Sequence, residues 1–171
     1  MNSIDQFITT YNEYLFNKKR LFDNVSLIGK NPIRENGPRE DIEYFIRGFT
    51  FPTEYNYSGF VFLQQEWKGA DEFIHFASHV NYSLEYLLIK TSGSVVLYDP
   101  EYEEIEWYCS GSVRNFFLSM KVIIETKIKM QELETFDLDN SYLKEKYDEC
   151  MAINSNEMRY SEFYEHLLGL E

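Results

Sequence analysis

LEYLLIKTSGSVVLYDPEYEEIEWY, residues 84–108, is the stretch whose reading decides the fold. Leu84–Lys90, Val95–Tyr98 and Ile105–Tyr108 are short runs of aromatic and branched residues, a composition that suits a pleated, half-buried surface. Thr91-Ser92-Gly93 and Asp99-Pro100 interrupt the runs with turn chemistry, so the stretch predicts three consecutive antiparallel strands. A period of two places Ile105 and Trp107 on one face of the last strand, and Glu104, Glu106 and Tyr108 on the other.

Beyond this meander, C-terminally, the period changes. After Ser110-Gly111-Ser112, residues Val113, Phe116, Phe117, Met120, Ile123 and Ile124 recur at intervals of three and four, which predicts a helix capped by Ser112 and running to about Lys129. Leu143, Tyr147, Cys150 and Met151 form a second stripe, and Tyr160, Phe163, Tyr164, Leu167 and Leu168 a third, with Asn154-Ser155-Asn156 as the break between them. On the N-terminal side, Phe60–Leu63 is a further strand-length run. Phe73–Val80 fits either a strand or a helical turn, because its period does not decide. Pro52 forbids a continuous helix, a short helix is expected around Asp41–Ile46, and Asn17–Arg39 reads as loop from its Gly and Pro content. Ile4, Phe7, Ile8, Tyr11 and Leu15 give an N-terminal helix, with Ser3 and Gln6 at capping-box spacing. The sum is α+β: a single domain over residues 1–171, an antiparallel sheet meander flanked by N-terminal and C-terminal helices.

A chain of 171 residues with 44% hydrophobic content, 14 Tyr and 14 Phe has ample material for a core. Its 16 basic and 29 acidic residues give a net charge of −13, which opposes binding to nucleic acid or an anionic membrane, since phosphate capture rests on Lys and Arg. The same charge would steer a basic protein toward this surface. Residues 1–50 hold 7 basic and 7 acidic groups, residues 51–130 hold 6 and 11, and residues 131–171 hold 3 and 11. The densest cluster, however, is Asp99, Glu101, Glu103, Glu104 and Glu106, at the turn of the last hairpin. The first twenty residues carry Asp5 and Glu13 inside the apolar pattern and lack the features of a secretory signal. No apolar run reaches the roughly 18 residues of a spanning helix. Two cysteines cannot frame a disulfide scaffold, so the expected location is the cytoplasm.

The histidines are the first candidates for chemistry. His75 and His79 stand four apart with Glu72 three before His75, half of a carboxylate-bridged di-iron pattern; Glu162 and His166 have the wrong spacing for the other half. One pair lacks the third and fourth ligands a metal needs, so the histidines are read as structural. Asp137, Asp139, Ser141 and Asp148 follow calcium-loop spacing, but Tyr142 stands where Gly is required and Asp148 where a bidentate Glu is; capping by Asp139, Asn140 or Ser141 explains them better. Cys109 and Cys150 sit at a strand end and on a helix stripe, where buried thiols are common. The expectation is no catalytic residue, no metal and no cofactor.

The central segment, residues 40–130, resembles the SUKH superfamily, an α+β domain found in many bacterial immunity proteins that neutralise toxins and in some scaffold proteins. Ile42-Glu43-Tyr44-Phe45-Ile46 followed by Phe51-Pro52-Thr53-Glu54-Tyr55 is similar to the family's short helix and apolar-Pro-x-x-aromatic step. Tyr86–Ile89, Gly93–Asp99 and Ile105–Tyr108 resemble its meander, and Ser110–Phe117 its Ser-rich lead into the closing helix. Where many members continue into a helix ending in Asn-Gly-Gly, this chain has Asn56-Tyr57-Ser58-Gly59 before a strand, which marks a divergent branch. The resemblance implies no catalysis, no cofactor and a protein partner, often a toxin with a cationic active site.

The functional expectation is therefore a non-catalytic immunity protein that binds a cognate toxin with an acidic, aromatic surface: Asp99, Glu101, Tyr102, Glu103, Glu104 and Glu106. Tyrosine supplies contact area at low entropic cost and carboxylates direct a cationic partner. The alternatives are a regulatory scaffold of the same fold, and a small metal-dependent or thiol enzyme using His75, His79 or Cys109.

Overall fold

The computed structural model describes residues 1–19, 26–31, 41–51, 60–62, 72–79, 83–135 and 138–170. In chain order the elements are α1 (Ser3–Lys19), β1 (Gly29–Lys30), α2 (Ile42–Gly48), β2 (Phe49–Thr50), β3 (Phe60–Phe62), β4 (Phe73–His79), β5 (Glu85–Ile89), β6 (Val95–Asp99), β7 (Glu104–Ser110), α3 (Val113–Glu132), α4 (Asn140–Ile153), a 3₁₀ turn (Met158–Tyr160) and α5 (Ser161–Leu168). Strands β3 to β7 pair antiparallel with their sequence neighbours, a five-stranded meander, while β1 and β2 form a separate two-stranded ribbon. Helices at both ends flank the sheet, so the architecture is α+β as expected.

The undecided segment is a strand, β4, and the reason for its ambiguous period is a bulge. His75 pairs with Leu87 and Ala77 with Tyr86, so Phe76 is the extra residue. Two residues then oppose one, and both Phe76 and Ala77 are buried in the core.

Each predicted helix forms, with one cap displaced. The side chain of Asn2 accepts from the Asp5 N–H at 2.7 Å, so the cap lies one residue earlier than the Ser3–Gln6 spacing suggests, and Ser3 is buried within the first turn. Asp41 caps α2 through the Tyr44 N–H, Ser112 caps α3 through the Asn115 N–H, and Asp139 caps α4 through the Ser141 N–H. The segment 17–39 is less of a loop than expected where it is described, since α1 runs to Lys19 and Gly29–Lys30 is a strand. Asn12 holds that strand's approach by bonding both the N–H and the C=O of Ile28. The Asp5 carboxylate receives Lys30 Nζ at 3.1 Å and Tyr44 Oη at 2.9 Å, tying α1 to β1 and α2. Pro52 to Tyr55, Asn56 to Gly59, Leu63 and Asp137 lie outside the described residues.

α1 and α3 lie on one face of the sheet, and the core between them is largely aromatic. Phe117 has ring centroids of Phe45 at 4.6 Å, Phe7 at 5.2 Å and Phe116 at 5.3 Å, and Phe76 meets Phe116 edge-on at 5.7 Å. Tyr160, Phe163 and Tyr164 from the C-terminal segment belong to the same core.

The β5–β6 turn gives a simple test of local chemistry. Gly93 has φ 74°, and a Cβ built there would meet nothing within 4 Å. The cost of Gly93→Ala is thus conformational alone, expected at about 1 kcal/mol, measured by urea unfolding as a lower midpoint with unchanged slope.

Candidate functional site

The acidic cluster is built by the β6–β7 hairpin. Asp99 ends β6, and its Oδ1 accepts from the N–H groups of Glu101 at 2.8 Å and Tyr102 at 3.2 Å, an Asx turn that Pro100 helps to preset. Glu103 takes φ 57°, the left-handed step that returns the chain into β7. Because the Asp99 side chain is spent on the turn backbone, it shapes the tip while the flanking residues are presented outward. Tyr102 is 70% exposed, and Glu101, Glu103, Glu104 and Glu106 are exposed while Asp99 is half-buried.

The six residues divide between two places. Asp99, Glu101, Tyr102 and Glu103 form the tip; Glu104 and Glu106 lie on β7 itself, where Glu104 pairs with Asp99, while Tyr108, paired with Val96, lies on the sheet face turned away from α3. The exposures alternate as expected, Ile105 and Trp107 half-buried and Glu104, Glu106 and Tyr108 exposed, but the faces do not: Glu106 is an extra residue between Trp107, paired with Leu97, and Ile105, paired with Tyr98, so the bulge puts Ile105 on the face opposite Trp107. Sequence reading missed what surrounds these carboxylates. Tyr98 pairs with Ile105 beside a bulge, and Tyr108 pairs with Val96, while the Arg159 guanidinium stands 5.9 Å from the Tyr108 ring centroid. Arg159 comes from the 3₁₀ turn some fifty residues on, and no local pattern announces it. Trp107, on the core side, stacks on His166 of α5 at 4.7 Å.

Among the described residues, Asp99, Glu101, Glu103, Glu104 and Glu106 have no ion-pair partner, although Glu43, Glu125, Asp148, Glu149 and Glu157 elsewhere do. Like charges packed on a short hairpin repel one another within a Debye length of about 8 Å, and a cationic partner would relieve that repulsion.

No family model, no curated protein and no solved structure matches this chain.

The structure places the other candidates apart from the hairpin. The β4 bulge sends His75 and His79 to opposite faces of the sheet: His75 pairs with Leu87, whereas His79 follows Ala77 and Tyr86 to the core side, where it is 7% exposed. Burial, with the nearby charges of His166 and Lys127, pushes the His79 imidazole below its ordinary value. The two therefore do not converge on one ion. Among the described residues no group of three or more His, Cys, Asp or Glu is arranged to hold a metal. Cys109 and Cys150 are buried free thiols, and desolvation pushes both up, away from the thiolate that nucleophilic attack requires. No described helix is long and apolar enough to cross a membrane.

Proposed function

We propose that this chain is a SUKH-type protein-binding domain that neutralises a cognate toxin by occlusion, using the β6–β7 hairpin. The observation that carries the reading is the tip itself: Tyr102, 70% exposed, amid carboxylates without ion-pair partners among the described residues. An exposed aromatic in a field of unpaired charge has the composition of an anchor within an electrostatically steered interface. The antiparallel meander closed by a Ser-capped helix supports the SUKH resemblance, and the net charge of −13 suits a toxin with a basic active-site surface. Neither nucleic acid nor membrane is favoured as a partner.

The test begins with the product of the gene immediately upstream. A large protein with a C-terminal toxin domain that binds this chain supports immunity; no such gene supports the scaffold reading. With the toxin domain in hand, the triple change Glu101→Lys, Glu103→Lys and Glu104→Lys should lower the association rate about tenfold at low salt and flatten its salt dependence. Tyr102→Ala should chiefly raise the dissociation rate, costing about 2 kcal/mol. Unchanged kinetics for both variants would move the interface to the acidic helices after residue 140.

A further inference from the structure

The β4 bulge has a second effect, on the face opposite the core. On a regular strand, residues three apart point to opposite faces; the extra residue Phe76 instead brings His75 and Ser78 to the same one. His75 pairs with Leu87 and Ser78 with Glu85, and Leu87 and Glu85, two apart on β5, share that face. His75 Nε2 lies 3.0 Å from Ser78 Oγ, and His75 Nδ1 lies 3.7 Å from Glu85 Oε1. The hydroxyl and the carboxylate thus meet opposite nitrogens of one imidazole. The His75 and Glu85 side chains are 28% and 32% exposed, half-buried yet open to solvent on one side.

From this geometry we propose that Ser78, His75 and Glu85 form a serine nucleophile with its base and its positioning carboxylate. The order hydroxyl, Nε2, Nδ1, carboxylate is the one that serine-dependent acyl transfer uses on unrelated folds, recognised by geometry and role. With Nδ1–H directed at Glu85, Nε2 presents its lone pair to Ser78 Oγ–H. The Nδ1–Oε1 separation is longer than a hydrogen bond, as such contacts often are before substrate binds. Beside the array and on the same face, Phe73, two residues before His75, pairs with Ile89, and both are half-buried, so the accessible neighbouring floor is apolar. The substrate class this suits is a small ester of an apolar carboxylic acid. Ser78 Oγ would bond to the acyl carbon as its proton passes to His75 Nε2; the ester C–O bond breaks and the alcohol leaves with that proton. Water then adds to the acyl carbon, giving a proton to Nε2, and the Oγ–acyl bond breaks as that proton returns to Oγ. This activity is independent of toxin binding, and it assigns His75 a role that its sequence spacing to His79 conceals.

The test treats the folded protein with a fluorophosphonate, which bonds phosphorus to Ser78 Oγ with loss of fluoride, and maps the adduct by mass spectrometry. Labelling is expected at Ser78 in the folded chain and to vanish in urea. Ser78→Ala should remove it, and His75→Gln should slow it on the order of a hundredfold, with the fold verified by circular dichroism. Glu85→Gln should slow it about tenfold or more and, in imidazole ¹⁵N spectra, replace a dominant Nδ1–H tautomer by a mixture. No Ser78 adduct on the folded wild-type chain, or equal labelling in urea, overturns the proposal. So does labelling of His75→Gln at the wild-type rate; an unchanged Glu85→Gln rate and tautomer overturns the role of Glu85.

Discussion

Phe117→Ala should lower the unfolding free energy by about 4 kcal/mol and the melting temperature by roughly 10 °C. Phe117 is 1% exposed, and its ring is where α1, α2, β4 and α3 converge, through Phe7, Phe45, Phe76 and Phe116. Removing it deletes buried apolar surface and leaves a cavity that four rings on four separate elements cannot collapse into without moving backbone. Phe117→Leu retains most of the volume and should cost about 1 kcal/mol. Phe16→Ala on helix α1 provides the contrast: at 54% exposed, its loss should stay within about 0.5 kcal/mol. Urea unfolding of the three variants at equal slope checks the ranking, and a Phe117→Ala midpoint near wild type would mean that the aromatic cluster is not the centre of the core.

How far the sequence could be read depended on whether the physical signal was local. The strands of residues 84–108 and helix α3 were legible because each carries a dense apolar run or a helical period bounded by a turn or cap of recognisable chemistry, which the β7 bulges do not disturb. β4 was ambiguous because Phe76 and Ala77 both turn inward, so its alternation fails at the bulge. β1 and β2, two residues each, are too short to carry any period, and their pairing is held by distant partners such as Asn12 and Asp5 on α1. The acidic hairpin was visible as composition, and the structure adds its division into a tip and a bulged strand. The approach of Ser78 to His75 was not legible, since on a regular strand that spacing keeps them apart. The pairing of Glu85 with Ser78 depends on a register that only the folded sheet defines.

The same distinction governs Asn154, which the sequence marks as a break between helices and the structure makes a buried hub. Asn154 is 2% exposed; the two hydrogens of its Nδ2 are shared among three acceptors, Ser119 Oγ at 2.9 Å, the Cys150 C=O at 3.0 Å and Tyr164 Oη at 3.0 Å. Its Oδ1 accepts from Ser110 Oγ at 2.6 Å, and Tyr164 Oη donates to the Cys109 C=O at 2.7 Å. One amide thus joins the end of β7, the middle of α3, the end of α4 and the face of α5. Burial pushes the Tyr164 phenol well above its ordinary value, so it stays a neutral donor through any physiological pH. Asn154→Leu, close in volume, should cost about 3 kcal/mol, because Ser119, Ser110 and Tyr164 each lose a bond and a buried group left unsatisfied costs about 1 to 3 kcal/mol. Asn154→Leu combined with Ser119→Ala should cost less than the two changes added together, since the second variant removes a hydroxyl that the first has already orphaned. Additive losses in that double-mutant cycle, measured by urea unfolding, would show that Ser119 is satisfied by another route, and the network would then be a set of independent bonds in place of a coupled junction.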